Sequence, residues 1–435
     1  MILKTAVLVL ALSAWSGVCA ATPLRYVVAA DRATCVYACG ETATFMVTVS
    51  DTNGQRVASG RVKAALDNFG PQQVAAAEWD LAQTNVFTLA GRLDAPGFLR
   101  LNLSPAPQGN GPKVWSVAYD PTRIVKGSPS PDDFDAYWAG ERARIRREVP
   151  LDPQVVRVPE RCTPAFDFFR VSFATFGRRV HGYLSVPTDK AKAPFPAHVE
   201  VNAAGFGGWT NDMVGRPDAI CLRMSVYPFE PDWRWQETGL KATYDAMNAA
   251  CQAKSGCSYS RAGIAESREA YFFHPVLLGI DRAVDWLVAR PDVDRTRVAY
   301  EGTSQGGGFG FYLTGLNRAF TRAAFYVPAI TDTMGFRAGR QSGWPQIVEN
   351  NAKTPASRAA AERWSPYFDG ANFAARIVCP VRVAVGFSDP TCPPCAVYAA
   401  YNEIKVKDKA IVHGIGMTHS CFGTFYRELG AWAKE

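Results

Sequence analysis

Apolar and polar positions alternate with a period of two from about residue 22 to residue 125, and turn signals separate the runs. Phe45, Val47 and Val49 alternate with Met46, Thr48 and Ser50, and Asn53-Gly54 behind them predicts a hairpin turn. Leu99, Leu101 and Leu103 alternate with Arg100 and Asn102 after Pro96-Gly97, with Phe87 and Leu89 on an earlier run of the same kind. Short strands without a helical period predict a small β-sandwich domain over residues 22–125. Its pattern does not say whether it binds glycan or polymer; a packing or spacing module is the simpler role. Gly127-Ser128-Pro129-Ser130-Pro131 then reads as a stiff polar linker. Ser130 or Asp132 can cap the helix that follows, with Phe134, Tyr137, Trp138 and Ile145 on its apolar side.

Beyond residue 157 the pattern changes. Strand-like runs at 180–186, 197–202, 219–226, 298–301, 323–327, 381–386 and 411–414 alternate with helical ones. The clearest helix covers 273–289, with Val276, Leu277, Ile280, Val284, Leu287 and Val288 on one face. Such alternation predicts a doubly wound, mainly parallel α/β sheet over residues 126–435.

Composition sharpens this. The chain has 435 residues, 48% apolar and 20% charged, enough for a sizeable core and too apolar for a disordered protein. The net charge of +7, or +6 once Lys4 is removed, is scattered and gives no nucleic-acid footprint. Residues 1–20 carry Lys4, an apolar stretch and small residues ending Val18-Cys19-Ala20, the pattern of a cleaved signal peptide. Ser13, Ser16 and Gly17 break the stretch well short of a span, and Ser16-Gly17-Val18 does not suit lipid attachment at Cys19. The expectation is a secreted or periplasmic protein, free of the membrane after cleavage. Ten of the eleven cysteines then remain, so disulfides are expected, with Cys35/Cys39, Cys251/Cys257 and Cys392/Cys395 as close pairs.

The chemistry centres on residues 298–308. Val298-Ala299-Tyr300-Glu301 is a strand entering Gly302-Thr303-Ser304-Gln305-Gly306, and an apolar helix leaves through Phe309. A Gly-x-Ser-x-Gly match alone is weak, but between strand and helix it is the nucleophile elbow of the α/β-hydrolase fold. The flanking glycines are needed where a Cβ would strike the neighbouring strand or helix. In that fold an acid and then a histidine follow on loops after later strands. Asp389 follows the run 381–386, and His419 follows 411–414. Ser304, Asp389 and His419 are therefore the candidate catalytic triad. His181, His198 and His413 fall within strands and His274 heads a helix, so core or edge roles suit them better. Gln305 N–H is the first candidate oxyanion donor, and Ala204 or Gly205 in the loop after 197–202 is the second. Phe206 and Trp209 on that loop, with Trp233, Trp235 and Trp344, are candidate substrate contacts or partly buried packing.

Cys392, Cys395, His419 and Cys421 also have the makings of a zinc site. Zinc would consume the only well-placed histidine, so a disulfide from Cys421 to Cys392 or Cys395, joining the acid and histidine loops, is the preferred reading, and no metal is expected. A redox dithiol at Cys392-Pro393-Pro394-Cys395 lacks the framing pattern of a thioredoxin-like fold.

With these residues in place, the chain from 129 to 432 resembles the acetyl xylan esterase and cephalosporin C deacetylase family of serine esterases. The likeness rests on Asp133-Phe134-Asp135-Ala136-Tyr137-Trp138, on the stretch 280–294, on the elbow, and on Asp389-Pro390-Thr391-Cys392-Pro393-Pro394 with Ala399-Ala400-Tyr401-Asn402. It implies an α/β-hydrolase fold, no cofactor, and removal of acetyl groups from carbohydrate or small alcohols by Ser304, Asp389 and His419. The chain departs from the family's His-Gly-Tyr with Ala203-Ala204-Gly205-Phe206, from its Arg-Gly-Gln with 225–229, and from its His-Glu with His419-Ser420. The sandwich and the insertion around 251–257 lie outside the family's compact form, so its ring-shaped oligomer is not carried over. The other functions weighed are an esterase or peptidase of different acyl preference, and a glycan-binding protein on a hydrolase shell.

Overall fold

The structure, a computed structural model, describes residues 23–106, 113–207, 213, 215–419 and 423–434. Before residue 120 it contains β1 (Leu24–Ala30), β2 (Val36–Tyr37), β3 (Ala43–Asp51), β4 (Arg61–Asp67), β5 (Gln73–Asp80), β6 (Val86–Gly91), β7 (Gly97–Ser104) and β8 (Val114–Tyr119). They form a three-stranded sheet in the order β1-β3-β6 and a five-stranded sheet in the order β2-β8-β7-β4-β5. The period-two pattern explains which face is inside: Phe45, Val47 and Val49 are buried, while Met46 beside them is 49% exposed. Asn53-Gly54 does form a turn, with Asp51 Oδ1 accepting from the amides of Asn53 and Gln55. It is not a hairpin: β3 pairs with β1 and β6, and β4 belongs to the other sheet. A turn motif fixes local backbone only; the partner strand is chosen by which faces are buried together.

The second part contains α1 (Phe134–Glu148), β9 (Gln154–Arg157), β10 (Phe166–Thr175), β11 (Arg178–Pro187), β12 (Phe195–Val201), β13 (Ile220–Ser225), α2 (Leu240–Ser255) and α3 (Phe273–Val288). It continues with β14 (Val293–Thr303), α4 (Gln305–Leu316), β15 (Arg322–Tyr326), α5 (Pro355–Trp364), α6 (Gly370–Ala374), β16 (Val381–Gly386), α7 (Pro394–Glu403), β17 (Lys409–Gly414) and α8 (Thr424–Lys434). Nine strands form one sheet in the order β17-β16-β15-β14-β12-β13-β11-β10-β9, parallel from β17 to β13 and antiparallel from there to β9. Every apolar residue assigned to one face of α3 is buried except Val288 at its end. Helix α4 is buried on all sides from Gln305 to Gly315, so it shows no amphipathic stripe. Among the described residues no helix is long and apolar enough to cross a membrane.

Three expectations are corrected here. Helix α1 begins after Asp133, and neither Ser130 nor Asp132 caps it; the Asp133 carboxylate takes the Tyr367 hydroxyl and Arg268 instead. The polar linker is packed rather than free: Ser128 is buried, Gly127 N–H donates to Asp332 Oδ1, and Lys126 Nζ reaches Asn372 and Glu403. Asp332, wholly buried, also holds Arg340, which donates onward to Val125 O, so this strap closes on a buried ion pair.

The third concerns the cysteines. No disulfide joins two of the described cysteines, and Cys35, Cys39, Cys162, Cys221, Cys251, Cys257, Cys379 and Cys395 are free thiols. The three close pairs and a Cys395–Cys421 bridge are thereby excluded. Their sulfurs have other environments: Cys257 Sγ faces Asn351 Oδ1 at 3.1 Å, and Cys35 and Cys395 sit inside the apolar core. Cys421 lies outside the described residues, as does the proposed leader 1–20.

Candidate active site

The parallel strands β14, β15, β16 and β17 lie side by side, so the loops at their C-terminal ends open on one edge of the sheet. Ser304 stands between β14 and α4 with φ 54° and ψ −115°, a conformation that L residues avoid. Three backbone bonds hold it: Ser304 N–H to Tyr326 O, and the Gly308 and Ala329 amides to Ser304 O. The flanking glycines are steric requirements. A Cβ on Gly302 would stand 2.5 Å from Gly306 O, and one on Gly306 would stand 2.1 Å from Val201 O.

Gly386 and Gly414 are in register at the ends of β16 and β17, so the loops carrying Asp389 and His419 leave at the same level. Ser388 N–H donates to Met417 O and ties the two loops together. The structure brings the three residues into series. His419 Nε2 lies 3.0 Å from Ser304 Oγ, and His419 Nδ1 lies 2.7 Å from Asp389 Oδ2. Asp389 is fully buried, and its other oxygen accepts from the amides of Thr391 and Cys392 at 2.8 and 3.0 Å. A carboxylate pinned on one oxygen by two amides leaves the other oxygen oriented toward the imidazole. The four other histidines lie apart from this series. His274 bonds Glu141, His413 bonds Tyr398, His198 bonds Arg216, and His181 Nδ1 is buried without a partner.

Asp389, Cys392 and His419 place possible metal-ligand atoms within 4.8 Å of one another. Both imidazole nitrogens already face Ser304 and Asp389, so this group reads as a hydrogen-bonded relay rather than a donor set. Cys395 is not part of it.

Gln305 follows Ser304 at the first turn of α4, where the N–H groups and the positive end of the helix face outward. Its side chain is buried and clamped: Nε2 donates to Asn202 O, and Oε1 accepts from the Tyr259 hydroxyl at 2.8 Å. Tyr259 lies 3.3 Å from the Tyr227 hydroxyl, which donates to Gly205 O at 2.9 Å. Burial pushes the acidity of both phenols far out of the physiological range, so they remain protonated donors. The two phenols, packed against each other, thus tie down Gln305 on one side and the Ala204–Gly205 loop on the other. Gly205 itself has φ +87°, and a Cβ there would meet nothing within 4 Å, so conformation rather than space selects glycine. Phe206 packs edge-on against Trp235 and against Tyr244. Trp344 lines a cavity beside Gly205, Trp233 packs in a separate apolar cluster, and Trp209 lies outside the described residues.

Sequence reasoning missed Tyr227 and Tyr259, and although it predicted the N-terminal sheets it did not foresee that they pack on the loops of the site. Phe98 of β7 packs edge-on against Phe387, two residues before Asp389, with ring centroids 5.1 Å apart. Trp115 of β8 lies so close to Gly416, three residues before His419, that a Cβ there would stand 2.4 Å from its ring. Gln341 bridges the two parts, taking Phe69 O with its amide and Pro390 O with its side chain. No periodicity signals these contacts, because they join residues remote in sequence.

Compared with known proteins, residues 123–435 match the acetyl xylan esterase (AXE1) family. The chain is 27% identical over 353 residues to the acetyl esterase Axe7A of Xylanibacter ruminicola, covering 79% of this chain and 76% of that one. An acetyl xylan esterase from Paenibacillus sp. R4 shares the fold with a TM-score of 0.59 at 22% identity, over 72% of this chain and 98% of that one. Acetyl xylan esterase 1 from Thermoanaerobacterium sp. JW/SL YS485 does so at 0.58 and 19%, over 72% and 96%.

Proposed function

Because the chain belongs to the acetyl xylan esterase family, we propose that it is a serine carboxylesterase that removes acetyl groups from acetylated carbohydrate. The single observation that carries the mechanism is the series Ser304 Oγ, His419 Nε2, His419 Nδ1, Asp389 Oδ2, with separations of 3.0 and 2.7 Å across the imidazole. Ser304 Oγ attacks the acetyl carbonyl while His419 takes its proton, and Asp389 holds the imidazole in the tautomer that can accept it. The tetrahedral oxyanion forms against Gln305 N–H and an amide of the Ala204–Gly205 loop. Collapse expels the sugar alcohol, which receives the proton from His419 and leaves acetyl-Ser304. Water, deprotonated by the same imidazole, attacks this ester; as the second tetrahedral intermediate collapses, the His419 imidazolium gives its proton to the departing Ser304 Oγ and acetate is released. No step calls for a metal or an organic cofactor. The leader read in residues 1–20 supports export to a secreted or periplasmic location, where polymeric substrate is found.

The test is Ser304→Ala against wild type on p-nitrophenyl acetate and an acetylated xylo-oligosaccharide. The variant keeps its circular dichroism and melting curve and loses about 10⁴-fold or more in kcat. Retained turnover would remove Ser304 from the mechanism. Turnover of long-chain esters or aminoacyl anilides alone would replace the acetylesterase reading with one of different acyl preference.

A further inference from the structure

Beside the Ala204–Gly205 loop lies a cavity of about 610 Å³, lined in part by Gly205, Tyr244, Gln252, Tyr259, Arg261 and Trp344. Its size is in the range of sites for small-molecule ligands, about 300–1,000 Å³. Two of its walls also belong to the candidate active site: Gly205 carries the loop opposite the nucleophile, and Tyr259 donates to the side chain of Gln305, the residue next to Ser304. The far wall is α2, the helix of the insertion, which brings Tyr244, Asn248 and Gln252.

The lining has a distinctive chemistry. Trp344 and Tyr244 are aromatic and half-buried, Asn248 and Gln252 offer amides, and among the described residues no carboxylate lines the cavity. Arg261 is the one charged group of that lining. Its Nε and Nη2 donate to Ser258 Oγ at 3.3 and 3.0 Å, which fixes the guanidinium plane. A guanidinium carries five donors, so Nη1 and a second Nη2 hydrogen remain for a ligand. The planar fork suits a carboxylate.

Resting on the esterase reading of Ser304, we propose that this cavity is the subsite for the alcohol part of the ester, and that it takes an acidic saccharide. Trp344 stacks on a sugar ring while Arg261 pairs with a uronate carboxylate on or next to the acetylated ring. The insertion carrying α2 thereby sets specificity for the leaving alcohol, separately from the acyl group.

The experiment measures acetate release from two acetylated xylo-oligosaccharides, one neutral and one bearing a uronic acid substituent, with p-nitrophenyl acetate as the small-alcohol reference. The full chain and the variants R261Q and W344A are compared, and melting curves establish that each variant is folded. Wild type is expected to favour the acidic oligosaccharide about tenfold in kcat/KM at low ionic strength, with the preference shrinking as salt is added. R261Q is expected to erase that preference, and W344A to lower the ratio of either oligosaccharide to p-nitrophenyl acetate about tenfold. Equal rates on both oligosaccharides in wild type, a preference that survives R261Q, or an unchanged ratio in W344A would overturn the subsite while leaving the esterase reading intact. Cleavage of p-nitrophenyl acetate with no acetate from either oligosaccharide would overturn the carbohydrate reading and the subsite with it.

Discussion

At residue scale the site depends on a few atoms that have no alternative place. Gly306 is one of them, since the carbonyl of Val201 occupies the space a side chain would need. Gly306→Ala must therefore move backbone of β12 or of the elbow, and overpacking of this kind costs about 1–3 kcal/mol. The expected outcome is a lower urea midpoint together with a large loss of kcat, because the displaced atoms carry Ser304; an unaltered midpoint and kcat would contradict the steric argument. Asp369, which caps α6, is buried and accepts from the amides of Asp332, Thr333 and Ala371. Burial, with the Asp332 charge adding to it, raises its pKa from 3.8 to about 6. A raised carboxyl pKa means the fold favours the protonated form: that stability is present below about pH 4 and is lost as pH rises through about 6. Asp369→Asn stays neutral throughout, so the melting temperature of the variant minus that of wild type should climb between pH 4 and pH 7. A difference that is flat or falls over that window would show that Asp369 is ionised at no cost.

At element scale, strand order and register place loops rather than side chains. β14, β16 and β17 end at one sheet edge, so three residues separated by as much as 115 positions meet within hydrogen-bond reach. The insertion works in the same way. It carries α2 and then Tyr259, whose hydroxyl satisfies Gln305 Oε1. Tyr259→Phe leaves that oxygen buried without its partner, at a cost of about 1–3 kcal/mol. Its effect should appear in kcat more than in KM on p-nitrophenyl acetate if Gln305 N–H serves the oxyanion as proposed, since that contact strengthens in the transition state and not in the bound ester. An equal rise in KM with unchanged kcat would assign Tyr259 to substrate binding alone.

At the scale of the whole molecule, the N-terminal sheets brace the site they contribute no catalytic group to. Phe98 and Trp115 press on the acid and histidine loops from outside the nine-stranded sheet, and the buried strap 125–128 fixes the two parts against each other. Phe98→Ala removes a fully buried ring and should cost about 3–5 kcal/mol of stability. Below its melting transition the variant should also lose kcat, because Phe387 is freed to move Asp389. Full kcat in folded Phe98→Ala would reduce these sheets to a stability role.

The residues 298–308, 389 and 419 were legible because an elbow needs glycines at fixed offsets and because loops after strands follow one another in chain order. The strands and α3 were legible for a similar reason, since burial on one face imposes a period on the chain. Where a pattern does not depend on partners remote in sequence, it can be read from the chain alone. The fate of Asn53-Gly54, of the 127–131 segment and of the cysteine pairs was decided only by the tertiary structure. So were the bonds from Tyr227 and Tyr259 and the contacts of Phe98 and Trp115. In each of these the outcome depends on which distant backbone or ring occupies the neighbouring space, and a one-dimensional period carries no record of that.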